Sequence, residues 1–161
     1  MRGTQKVFGG ILLVVAGLAL ALIPQQASSR SMGTWPQDAN VEPVPAYHTS
    51  LPEGRLPATL SPSLFTDPVA QNAYRTAARI KKILYQEPCY CHCDRSQGHG
   101  SLLDCYTGNH AAECGTCERE DFYAYEQTRK GKSAAQIREG IERGDWQHVD
   151  VTKYQSSLPA K

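Results

Sequence analysis

A chain of 161 residues, 40% hydrophobic and 20% charged, with a single sustained apolar run near its start, is too short for a large two-domain enzyme and lacks the repeated spans of a polytopic membrane protein. Its formal charge of +1 falls to about −2 when Arg2, Lys6 and Arg30 are set aside with the leader, since 14 basic residues then face 16 acidic ones. No basic excess is left to displace phosphate counterions, so no nucleic-acid partner is expected.

Arg2 and Lys6 precede an uncharged run from Val7 to Ile23, then Pro24 and the small residues Ala27-Ser28-Ser29. That order reads as a secretory signal peptide over residues 1–29. The run is at the lower limit for crossing a bilayer, so an uncleaved N-terminal membrane anchor is the other reading. Either way the remainder is expected in the periplasm or another extracytoplasmic space, with membrane attachment, under the anchor reading, to the inner membrane through the N-terminal segment alone. Residues 30–66 hold six prolines from Pro36 to Pro62 and no hydrophobic period. They read as a disordered Pro-rich tether, able at about 3.1 Å per residue to reach roughly 110 Å.

The expected fold class is mainly α: a small Cys-rich helical domain over residues 67–150 with a Cys-rich turn segment, then a C-terminal tail over 151–161. Asp67-Pro68 is a helix start, and Ala70, Ala73, Ala77, Ile80 and Leu84 form one apolar stripe, with Arg75, Arg79 and Lys82 opposite. Pro88 must lie beyond the helix end. A second helix is expected from near Glu113, with Cys114, Cys117, Ala124, Tyr125 and Thr128 on one face, Glu126 paired with Lys130, and Gly131 as the stop. Ser133-Ala-Ala-Gln136 has the form of a capping box opening a short helix with Ala134, Ile137 and Ile141 inward and Gly144 after it. The alternation around Val149 and Val151 reads as an extended arm. These stripes are rich in alanine and bury little, so a further source of stability is expected.

That source is the set Cys89, Cys91, Cys93, Cys105, Cys114 and Cys117, all six cysteines within 29 residues. The string Pro88-Cys-Tyr-Cys-His-Cys93 resembles the PCYCGC-motif family of small exported bacterial proteins, whose function is not established. The resemblance runs from about Leu64 to Val151. His92 stands where the family string has glycine, so no ligand role for it follows. Some relatives are lipoproteins, but the first cysteine here is Cys89, so no lipid-bearing N-terminal cysteine is expected.

If residues 89–93 are extended, Cys89, Cys91 and Cys93 line one side. The glycine of relatives at position 92 implies instead a left-handed residue that bends the segment. Cys114 and Cys117 lie one helical turn apart at a helix N-terminus, where the dipole favours thiolate. Ser101-Leu-Leu-Asp104 looks like a capped turn carrying Cys105.

Two function classes follow. Thiolates at Cys-x-Cys and Cys-x-x-Cys spacing suit a soft metal ion, copper or zinc, with His99 of the Gly98-His-Gly100 loop as a secondary ligand and His110 comparable to it. The alternative is a disulfide-stapled interaction module without cofactor, Cys89, Cys91 and Cys93 pairing with Cys105, Cys114 and Cys117 in one of six ways, and Tyr90, Phe122, Tyr123 and Trp146 offering a partner surface. Covalent haem is excluded because Cys114-Gly-Thr-Cys117 is followed by Glu118. No phosphate loop, nucleotide site or Ser-His-Asp set is present, Asp94 and Asp104 read as turn caps, and no enzyme is expected. The expected role is metal handling or membership of an envelope redox complex, with an envelope protein or membrane complex as partner.

Overall fold

The side chain of Asp67 accepts from Ala70 N at 3.1 Å and Pro68 occupies the first position of helix α1 (Pro68–Arg79), as the sequence requires. A computed structural model describes this and the rest of the chain between residues 42 and 156. The expected leader over 1–29, the start of the linker and residues 157–161 lie outside the described residues.

The expected helix does not run unbroken towards Pro88. At Ile80 (φ −118°, ψ 26°) the backbone leaves the helical region and resumes as α2 (Lys81–Leu84). One turn earlier Thr76 Oγ1 turns back to Asn72 O (2.9 Å) and Ala73 O (2.8 Å), a competition that bends helices. The stripe survives the break, since Ala70, Ala73, Ala77, Ile80 and Leu84 are all buried.

After the short helix α3 (Cys93–Ser96) and two 3-10 turns (Leu102–Tyr106 and His110–Glu113), the central helix α4 begins at Gly115 rather than Glu113 and runs to Arg129. It packs against α1, α2, the helix that follows it and the 3-10 turns. It is therefore buried around much of its circumference, Glu120, Asp121, Phe122 and Tyr123 as well as Cys117, Ala124 and Tyr125, and not along a single stripe. The expected Glu126–Lys130 pair is not made, because Glu126 Oε1 accepts from Tyr154 OH at 2.9 Å. Gly131 (φ 79°) ends the helix as expected, its N–H and that of Lys132 returning to Thr128 O and Gln127 O. Ser133 and Gln136 form the capping box of α5 (Ala134–Glu142), which buries Ile137 and Ile141.

Two boundaries move. Residues 42–66, expected within the disordered tether, lie packed on the domain: Pro45 is buried, Leu56, Leu60 and Phe65 rest on the core, and the Phe65 ring centroid is 4.1 Å from that of Tyr74. Leu60 N donates to Tyr106 O at 2.9 Å. Apart from a 3-10 turn at Pro62–Leu64, prolines keep this segment in irregular chain, so it docks through widely spaced apolar side chains that show no period in sequence. Nor is the tail an extended arm. Asp145–His148 and Val151–Tyr154 form 3-10 turns, and Tyr154 stacks on Phe122 with centroids 3.6 Å apart. Asn72 Nδ2 donates to Tyr154 O at 2.6 Å and Ser156 O at 2.8 Å, so the fold continues past residue 150.

Tyr74, Tyr106, Phe122, Leu102 and Leu103 supply the volume that the alanine stripes lack. Phe122 and Tyr123, expected to be open to a partner, are buried, and Tyr90 and Trp146 are half-buried. Among the described residues there is no strand, and no helix is long and apolar enough to cross a membrane.

Candidate metal centre

Leu102 N donates to Glu87 O at 2.9 Å and thereby pins the segment that enters the cysteine motif. His92 N donates to Cys89 O at 3.0 Å, closing a turn, and His92 takes φ 56°, ψ 34°. The extended arrangement of residues 89–93 is thus replaced by the bent one, and Cys93 opens α3. The bend does not scatter the sulfurs. It folds Cys89 and Cys91 to 3.4 Å of each other and turns Cys93 towards Cys105, again at 3.4 Å.

Cys105 arrives on the turn Leu102–Tyr106. Ser101 does not cap that turn, whereas Asp104 Oδ2 accepts from Gly100 N at 2.7 Å. Asp94 accepts from Ala46 N at 3.2 Å, a contact with the docked N-terminal segment and not a local cap. Cys114 occupies the N-cap position of α4 and Cys117 its first turn, where Tyr106 OH donates to Cys117 O at 2.9 Å. Cys117 Sγ lies 3.4 Å from Cys89 Sγ and 3.7 Å from Cys91 Sγ.

All six cysteines are unbonded thiols in one contiguous cluster, and no disulfide is present among the described residues. Cys89, Cys93, Cys105 and Cys117 are buried, while Cys91 and Cys114 are half-buried. Four overlapping sets of donors have their ligand atoms mutually within 4.8 Å: Cys91, His110, Cys114 and Cys117; Cys89, Cys105 and Cys117; Cys89, Cys91 and Cys93; and Cys93, Cys105 and His110. One ion with bonds of about 2.3 Å to sulfur joins donors up to roughly 4.6 Å apart, so each set is close to the span that a metal ion gathers. The residues present can hold a metal ion.

Every cysteine named from the sequence is in the cluster. His99 is there through Nδ1, 3.4 Å from Cys105 Sγ. His110, ranked only beside it from sequence, joins two of the four sets, with Nε2 3.5 Å from Cys91 Sγ. Its Nδ1 lies 3.0 Å from the Gln97 side-chain amide. That amide atom is Gln97 Nε2, an N–H donor, so His110 Nδ1 accepts from it. His92 points elsewhere, Nε2 being 3.4 Å from Glu42 Oε2.

Buried acids escaped the sequence reading. Glu120 is one helical turn beyond Cys117, a spacing that would have pointed to it, and its Oε1 accepts from Tyr90 N at 2.8 Å. Burial holds its carboxyl well above the ordinary range. Glu87, with neither carboxyl oxygen partnered, is pushed by burial to about 9. Glu87 is therefore protonated near neutral pH. Among the thiols the leading influence on each is another thiol: Cys91 and Cys105 are held low, by hydrogen bonds from Cys105 and Cys117 respectively, and Cys89 and Cys117 are held high, each chiefly by Cys105. Thiolates packed so closely repel, and no lysine or arginine leads the opposition to that repulsion. A cation held among the sulfurs would supply it.

The family model described as "Protein of unknown function with PCYCGC motif" matches residues 53–148. The chain belongs to this family. The match begins inside the docked N-terminal segment and spans every donor of the cluster, so the family unit coincides closely with the packed domain. No curated protein and no solved structure matches the chain.

Proposed function

We propose that this family member is an exported metal-handling protein whose thiol cluster takes up a soft ion, copper(I) or Zn²⁺, and passes it to, or holds it within, an envelope protein or membrane complex. The role is binding and transfer, without catalysis. Convergence of six thiols and His110 on one partly open cluster carries this reading. Soft thiolates select these ions over Ca²⁺ or Mg²⁺, which need oxygen ligands. Cys91, Cys114 and His110 are half-buried, which leaves the cluster a face for ligand exchange. The charged leader and apolar run support an extracytoplasmic location for the domain.

The test is elemental analysis and thiol titration on protein exported to the periplasm and purified without added metal. Stoichiometric copper or zinc, with close to six reactive thiols after denaturation and chelation, is the expected result. No metal and no free thiol would replace this reading with the disulfide-stapled module.

A further inference from the structure

A single ion takes about four sulfur or nitrogen ligands, and this cluster offers twice that number. Cys91, Cys114, Cys117 and His110 already make a complete four-donor set with all ligand atoms mutually within 4.8 Å. Their use leaves Cys89, Cys93, Cys105 and His99, and these are not scattered. Cys93 and Cys105 sulfurs are 3.4 Å apart, and His99 Nδ1 is 3.4 Å from Cys105 Sγ. Cys89 shares one donor set with Cys105 and another with Cys93, so its sulfur is within 4.8 Å of both.

A second observation points to a ligand at this inner set. Cys89, Cys93 and His99 line a small gap together with Ser101 and Asp94, and the gap has no room for a water molecule. Ser101 is 2% exposed and its hydroxyl oxygen has no partner, as is also true of Asp94 Oδ1. A buried hydroxyl without a partner forfeits the hydrogen bonds that water would give it. A dehydrated ion among the neighbouring sulfurs would give these oxygens a positive charge to face.

Resting on the metal-handling reading above, we propose that the chain holds two metal ions in adjoining Cys3His centres. The inner centre uses Cys89, Cys93, Cys105 and His99, and the outer uses Cys91, Cys114, Cys117 and His110. The two adjoin through Cys89, whose sulfur lies 3.4 Å from those of Cys91 and Cys117. They differ in access. In the inner centre the three cysteines are at most 3% exposed and His99 alone is half-buried, whereas in the outer centre Cys117 alone is buried and Cys91, Cys114 and His110 are half-buried. The inner ion is accordingly the retained one and the outer ion the one that exchanges with a partner.

The experiment is a Zn²⁺ titration of the reduced full chain, read by native mass spectrometry and by competition with a chromophoric chelator. Two Zn²⁺ per chain are expected, one removed by chelator at least tenfold faster than the other. Cys114→Ser and His110→Ala change half-buried residues and are expected to lose the fast ion and keep the slow one, with the far-ultraviolet dichroism unchanged. Saturation at one Zn²⁺ per chain would overturn the two-centre arrangement and leave the metal-handling reading standing. Loss of both ions from a folded Cys114→Ser protein would equally overturn the division into two centres. Binding of no Zn²⁺ and no copper(I) by the reduced chain would overturn both.

Discussion

His92 stands where the family motif carries glycine, and it is the one non-glycine residue with positive φ among the described residues. A left-handed backbone costs a residue with a Cβ about 1–2 kcal/mol. What the imidazole gives back is small: its Nε2 lies 3.4 Å from a Glu42 side chain that is 59% exposed, and its Nδ1 is buried without a partner. Such an exposed contact is worth roughly 0–1 kcal/mol. His92→Gly removes the strain but adds about 0.5–1 kcal/mol of unfolded-chain entropy, whereas His92→Ala keeps the strain and loses the contact. The glycine variant is therefore expected within about 1 kcal/mol of wild type and the alanine variant about 1 kcal/mol below the glycine one, some 4–8 °C in Tm for a domain of this size. His92→Val, with a branched Cβ, is expected lowest of the three. Thermal unfolding of the reduced protein followed by circular dichroism measures the order. Metal content is expected to be unchanged in the glycine variant, because the ring faces Glu42 and not the sulfurs. An alanine variant as stable as the glycine one, or loss of metal from His92→Gly, would refute the reasoning.

Gly140→Ala is expected to destabilise the fold, because the new Cβ would collide with the hydroxyl oxygen and lie 2.7 Å from Cζ of the buried Tyr123 ring. Overpacking of about 1–3 kcal/mol exceeds the helix-propensity gain of about 1 kcal/mol. Urea denaturation checks the sign, and adding Tyr123→Phe should recover part of the loss; a more stable Gly140→Ala protein would contradict the packing. Asp121, fully buried and held protonated by burial in the folded state, binds a proton that the unfolded chain releases above about pH 4. Stability should therefore fall as pH rises from that value, by at most about 1.4 kcal/mol per pH unit from this group, and Asp121→Asn should flatten the slope. Parallel pH profiles for the two proteins would exclude this effect. Tyr154→Ala removes a buried ring stacked on Phe122 and is expected to cost about 3–5 kcal/mol. Deleting residues 151–161 should be at least as damaging by circular dichroism, and a stable truncated domain would show the C-terminal turns to be dispensable.

Local signals wrote themselves plainly into the sequence. Asp67-Pro68, the Ser133/Gln136 box and Gly131 are satisfied within one or two turns of backbone, so their residue types reveal them wherever the helix later packs. The helical class and the gathering of the six cysteines within 29 residues were legible for the same reason: short separations limit where the sulfurs can go. Long-range closure was not legible. Leu56, Leu60 and Phe65 are too widely spaced among prolines to show a period, and only their docking on α1 and the Leu102–Tyr106 turn separates them from a disordered tether. Tyr154 reveals its place only against Phe122, and the break at Ile80 and the burial of Glu120 and Asp121 follow from what surrounds α1 and α4. Sequence alone supplied the six cysteines and His99 as donors, with His110 as a comparable candidate. Tertiary structure decided that His110 joins them, that His92 does not, and that the thiols lie close enough to share ions, because those facts depend on how far apart a bent motif, a 3-10 turn and a helix N-terminus are held.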